Sequence, residues 1–71
     1  MINTIEQLAE TIQDDQWAAA EYAVESAKEA GDGFDRANLE FHLDCLITAG
    51  ATFDHCDALD IAVNKSKDME S

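Results

Sequence analysis

Four side chains offer metal or thiol chemistry: His42, Cys45, His55 and Cys56. His42 and Cys45 stand three residues apart, which puts both on one side of a helix. His55 and Cys56 are adjacent, so on a helix they point about 100° apart and chelate badly as a pair. Structural zinc needs four converging ligands, typically with Cys-x-x-Cys spacing, and that spacing is missing here. A thiol nucleophile needs a base and an orienting group on a rigid scaffold. Cys45 with either histidine and an aspartate can be drawn, but 71 residues leave little volume for a pocket. Asp57 and Asp60, as paired carboxylates, meet the same objection. Asp54, Asp57 and Asp60 lack the glycine and the terminal glutamate of a calcium loop. The sequence has no glycine-rich phosphate loop and no basic patch. We therefore expect a non-enzymatic chain with no catalytic residue, no metal and no cofactor. The cysteine and histidines read as a buried thiol and partly exposed imidazoles.

The charge is the stronger signal. Sixteen acids against four bases give a net charge of −12 on 71 residues. A small soluble domain usually carries about 2–8 in magnitude, and self-repulsion opposes compaction. The acids form ladders: Glu6, Glu10 and Asp14; Glu21, Glu25 and Glu29; Glu40 and Asp44. Each step of four residues climbs about 6 Å along a helix. Like charges so spaced cost about 0.2–0.5 kcal/mol per pair. Only Lys28, near Glu25 and Asp32, relieves the second ladder. The plain reading is a solvated face that maintains solubility. The sharper reading is a docking face for a basic partner. Nucleic acid and anionic membranes would be repelled.

Spaced carboxylates can imitate a nucleic-acid backbone, which bears about one charge per 1.7 Å of duplex axis. In acidity and small size, the chain resembles the DNA-mimic inhibitors made by phages and other mobile elements, among them some anti-restriction and anti-CRISPR proteins. The resemblance rests on charge and size, not on a sequence motif. It implies a basic, nucleic-acid-binding protein as partner and, for a phage-encoded chain, the cytoplasm of a bacterial host. The alternative is a helical adaptor or regulatory protein that binds through an apolar patch.

An all-α domain of about four short helices, spanning residues 1–71, must position these groups. No proline and many alanines favour helix throughout. The organising stretch is Asp35 to Gly50. Leu39, Leu43, Leu46 and Ile47 fall at the spacing of one helical face. Asp35 can cap its start, Phe34 and Leu39 occupy hydrophobic-staple positions, and Gly50 can end it. A first helix begins at Asn3 or Thr4 and carries Ile5, Leu8, Ala9 and Ile12. Its apolar stripe then slips phase at Asp14–Gln16, so a break is expected there with Asp14 or Asp15 as the next cap. The second helix spans about Gln16 to Ala30, with Trp17, Ala20, Val24 and Ala27 as its stripe, and stops at Gly31-Asp32-Gly33. It should pair antiparallel with the third, Trp17 meeting Leu39. A fourth follows Asp54 through Leu59, Ala62 and Val63, and residues 64–71 read as a frayed polar tail.

Ala30-Gly-Asp-Gly-Phe-Asp35 and Ala49-Gly-Ala-Thr-Phe-Asp54 echo each other 19 residues apart. Each reads as helix end, glycine stop, apolar residue, aspartate cap. Together with Ala58-Leu-Asp-Ile-Ala-Val63, the second copy resembles the glycine turn of one ankyrin repeat. The Thr-Pro-Leu-His opening of that family is absent, and 19 residues fall short of its period of about 33. The echo is therefore taken as shared helix punctuation.

Phe41 falls out of phase with the leucine stripe and beside Glu40 and Asp44. Exposed, it would be an apolar anchor in an acidic rim; otherwise it packs under the first or fourth helix. Ile61 poses the same question, and either residue could form a homodimer face. The N-terminus lacks the pattern of a signal peptide and no run of about 18 apolar residues occurs, so a cytoplasmic chain with reduced thiols is expected.

Overall fold

The computed structural model describes residues 4–31 and 33–70, with side chains through Asp68. Four helices follow in order: α1 (Ile5–Ile12), α2 (Gln16–Ala30), α3 (Arg36–Thr48) and α4 (His55–Glu70). The all-α reading holds. Helix α2 packs most extensively on α4 and nearly as much on α3, while α3 also meets α4. Helix α1 lies against α3 and more lightly against α2; among the described residues it does not reach α4. The centre is thus a three-helix arrangement about α2, where a two-helix centre was expected.

The chain's own side chains start each helix. The Thr4 hydroxyl accepts from the Gln7 N–H at 3.3 Å. The Asp15 carboxylate accepts from Trp17 and Ala18 N–H, each at 3.1 Å. Asp35 accepts from Asn38 N–H at 2.8 Å and Asp54 from Asp57 N–H at 3.1 Å. Each such cap contributes about 0.5–2 kcal/mol. Asn3, the other candidate cap for α1, lies outside the described residues.

Both glycine stops in the echo work, by different bonds. Gly31 is left-handed (φ 73°), and its N–H reaches the Ala27 and Lys28 carbonyls. At the end of α3, Gly50 N–H donates to Ile47 O while Ala51 N–H donates to Leu46 O, both at 3.0 Å. That pair of bonds is a Schellman motif, with Ala51 and Leu46 both buried beneath it.

The core is three leucines set into alanine. Leu39, Leu43 and Leu46, all from α3, are the largest fully buried side chains. They face Ala19, Ala20, Ala23 and Ala27 of α2 and Ala58 and Ala62 of α4, within one cluster that also takes Ile12, Val24, Phe53 and Leu59. Trp17 corrects the expected pairing with Leu39: it is 64% exposed. It stands in the first turn of α2, at the edge of the alanine face, and close approach of the helices leaves no room for an indole between them. Ile47 likewise leaves the expected stripe and is 38% exposed, because α3 turns its Leu39–Leu43–Leu46 line inward. Helix α4 continues through the residues expected as a tail. Ser66 is buried there, its hydroxyl donating to Val63 O at 2.8 Å.

The break between α1 and α2 is tighter than a phase slip suggests. Asp15 N–H donates to Ile12 O at 2.9 Å, and Gln13 between them has φ 47° and ψ −107°. These are the angles of the first central residue of a type II′ turn, a position that favours glycine. Thr52 N–H donates to Gln13 O at 2.9 Å, which ties the α1–α2 turn to the α3–α4 connection. Gln13→Gly should relieve about 1–3 kcal/mol of backbone strain against about 0.5–1 kcal/mol of added chain entropy. Urea unfolding should then show a gain of about 1 kcal/mol; a loss would contradict the strain argument. Leu43→Ala should cost about 2–5 kcal/mol. Since a core of this size supplies about 3–5 kcal/mol, far-UV circular dichroism should show that variant largely unfolded at 37 °C.

Candidate acidic and apolar docking surface

Every acid whose side chain is described is exposed. Burying an unpaired carboxylate would cost several kcal/mol, so the excess charge has to lie outside the core. The eight ladder acids do not share one groove. Glu6 and Asp44 meet across the α1–α3 groove, a shallow hollow of about 390 Å³ also lined by Ile5, Phe41, Cys45, Thr48 and Ala49. Its neighbour, about 230 Å³, shares Glu6 and Ala49 and adds Glu10, Gln13 and Gly50. Glu6 and Asp44 thus rim the apolar floor, and Glu10 stands in the adjoining, more polar hollow. Glu40 stands one turn before Asp44 on α3.

The second ladder belongs elsewhere. Glu21 and Glu25 line a hollow of about 220 Å³ between α2 and α4, with Val24, Lys65 and Asp68. A lysine therefore enters that group, and none enters the first. Asp14 and Glu29 are exposed and line neither groove.

The bases explain this asymmetry. Lys28 lies in the last turn of α2, Arg36 opens α3, and Lys65 and Lys67 lie late in α4. Residues 1–27 and 37–64 hold six and five acids and no lysine or arginine. Helix α1, most of α3 and the first half of α4 thus present carboxylates alone.

Phe41 is 60% exposed and does not pack under α1 or α4. Its ring meets His42 edge-on, with centroids 5.3 Å apart. Ile61 answers the other way: it is half-buried against the core. His55 Nε2 lies 3.1 Å from Asp44 Oδ1 across the α3–α4 contact, off hydrogen-bond alignment. Cys45 is half-buried and Cys56 exposed, which corrects the expectation of a buried thiol; both are free thiols. Among the described residues no group of three or more His, Cys, Asp or Glu side chains is placed to hold a metal ion. Also among them, no helix is long and apolar enough to cross a membrane.

Comparison with family models, curated proteins and solved structures gives no match. The α1–α3 groove could not be read from the chain alone, because sequence spacing shows which acids share a helix and not which helices adjoin.

The exposed ladders make a direct statement about stability. Glu6–Glu10, Glu21–Glu25, Glu25–Glu29 and Glu40–Asp44 each lie four apart within one helix. Together they oppose folding by about 1–2 kcal/mol at low ionic strength. Raising NaCl from 0.05 to 0.5 M shortens the screening length from about 14 Å to about 4 Å. Thermal unfolding should then show a gain of about 1 kcal/mol, and a flat or falling profile would show that the ladders are already neutralised.

Proposed function

We propose that this chain is a non-enzymatic binding protein: an acidic inhibitor that occupies the basic surface of a nucleic-acid-binding protein. One observation carries the reading. The surface built by α1, by α3 after Arg36 and by the start of α4 bears exposed carboxylates with no lysine or arginine among them. Carboxylates about 6 Å apart along a helix lie within one screening length of each other, so an approaching cation meets a continuous negative field. Such a field steers a basic partner and raises its association rate. It also repels phosphate, so the chain competes with nucleic acid and does not bind it.

The exposure of Phe41 supports a second reading, an adaptor that docks through the apolar groove while its acids only keep it soluble. Salt separates the two. An electrostatic decoy loses affinity steeply as salt rises, whereas apolar docking does not.

The test starts from the heparin-binding fraction of a bacterial lysate, passed over the immobilised protein at 50 and 500 mM NaCl. A retained protein is identified by mass and purified. Its binding is then measured with and without a DNA duplex or RNA that it recognises. The decoy reading expects mutual exclusion, release by 500 mM salt, and at least tenfold weaker binding by the Glu6→Lys, Asp44→Lys double variant. A complex holding nucleic acid and this protein together, or salt-insensitive binding lost only in Phe41→Ala, would replace it with the adaptor.

A further inference from the structure

The α1–α3 groove specifies more than a positive charge. Its floor on α3 is Phe41, Cys45 and Thr48, at i, i+4 and i+7, the stripe roughly opposite the one that faces the core. Helices α2 and α4 take the core side of α3 and α1 takes one flank, which leaves this stripe without a helix against it. The floor runs about 10 Å along α3, and α1 alongside is about 12 Å long. Two helix walls of that length form the seat into which a third helix packs by ridges and grooves.

Resting on the decoy reading above, we infer that the groove receives a basic amphipathic helix of the partner protein, about two turns long. An apolar side chain of that helix packs beside Phe41, and lysines or arginines flank it on both sides. The two-sided rim sets this requirement. Glu6 and Glu10 stand one turn apart on the α1 wall, and Glu40 and Asp44 stand one turn apart on α3. A helix laid between them meets carboxylates along each edge of its apolar stripe, the arrangement of helix-in-groove recognition. A second copy of this chain would bring the same acids against these, and phosphate is excluded by sign. The groove therefore discriminates as well as attracts: a basic segment with no apolar anchor satisfies the rim and leaves Phe41 exposed.

Two 15-residue probes separate these contributions. One is a helical peptide with leucines at i, i+4, i+7 and i+11 and lysines elsewhere; the other is an oligolysine matched in charge without leucine. Each is titrated into the isotopically labelled protein at 50 and 150 mM NaCl, with affinity from calorimetry and location from amide shifts. The leucine–lysine helix should bind at least tenfold tighter than oligolysine at 150 mM. Its shifts should centre on Ile5, Phe41, Cys45 and Thr48. Phe41→Ala should remove at least tenfold of its affinity, and Trp17→Ala, which deletes an exposed ring outside the groove, should remove none. Equal affinity of the two probes, shifts centred on α2 and α4, or indifference to Phe41→Ala would overturn the helix assignment and leave the decoy reading standing. Failure of both probes to bind at 50 mM would bring down the decoy reading itself.

Discussion

The alanine face of α2 is the constraint on which the rest of this fold depends. Ala19, Ala20, Ala23 and Ala27 are fully buried, so α2 offers α3 and α4 a face made mostly of methyl groups. An alanine favours helix and loses no rotamer freedom, but it removes little apolar area from water. Leu39, Leu43 and Leu46 must supply most of the burial, at about 1.5–3 kcal/mol each. They can do so only because the facing surface is smooth enough to accept them. The same packing expels the largest ring in the chain. An indole between α2 and α3 would hold them apart and open voids beside the alanines, so Trp17 stays outside.

A core so sparing in large side chains makes the helix ends matter more. Three aspartates, Asp15, Asp35 and Asp54, satisfy N–H groups that would otherwise face solvent alone. Part of the acid excess is therefore structural. These caps, with the glycine stops at Gly31 and Gly50, were legible in the sequence because each depends on one residue type at one local position. The helix boundaries followed from them. Tertiary competition was not legible. Trp17 and Ile47 lie at the edges of apolar stripes, and periodicity alone cannot say which edge a neighbouring helix covers. The extent of α4 was hidden for a related reason, since a polar run becomes helical when Ser66 and Ala62 have a surface to pack on. Gln13 gave no signal at all: glutamine does not announce a positive φ, and the turn it makes was visible only as an interruption.

The surface divides along the same line. Charge spacing within a helix can be counted from the chain, and all eight ladder acids are exposed, but α1 ends at Ile12, so Asp14 falls in the turn and the first ladder keeps only Glu6 and Glu10. Their grouping depends on which helices adjoin. Helix α1 flanks α3, so Glu6 meets Asp44; α4 flanks α2, so Glu21 and Glu25 meet Lys65. Phe41 is the instructive exception. Its position out of phase with the leucines already set it apart, because one face of α3 cannot point both at α2 and away from it.

Charge and core then act on different equilibria. The accessible surface, 4510 Å², is close to the roughly 4,400 Å² that a folded monomer of 7.8 kDa leaves to water. The helices thus bury their share without help, and a second copy is not required to complete the core. The uncompensated acids are a standing cost in the free protein, since like charges on α1 and α3 repel each other whenever the chain is compact. A basic partner removes that cost as it binds. By linkage, whatever binds the folded chain and not the unfolded one stabilises the fold. On the decoy reading, the repulsion that weakens the isolated domain therefore returns as affinity for a surface rich in lysine and arginine. A chain selected for solubility alone gains nothing from placing carboxylates on both sides of an apolar groove, where their mutual repulsion has no opposite charge to offset it.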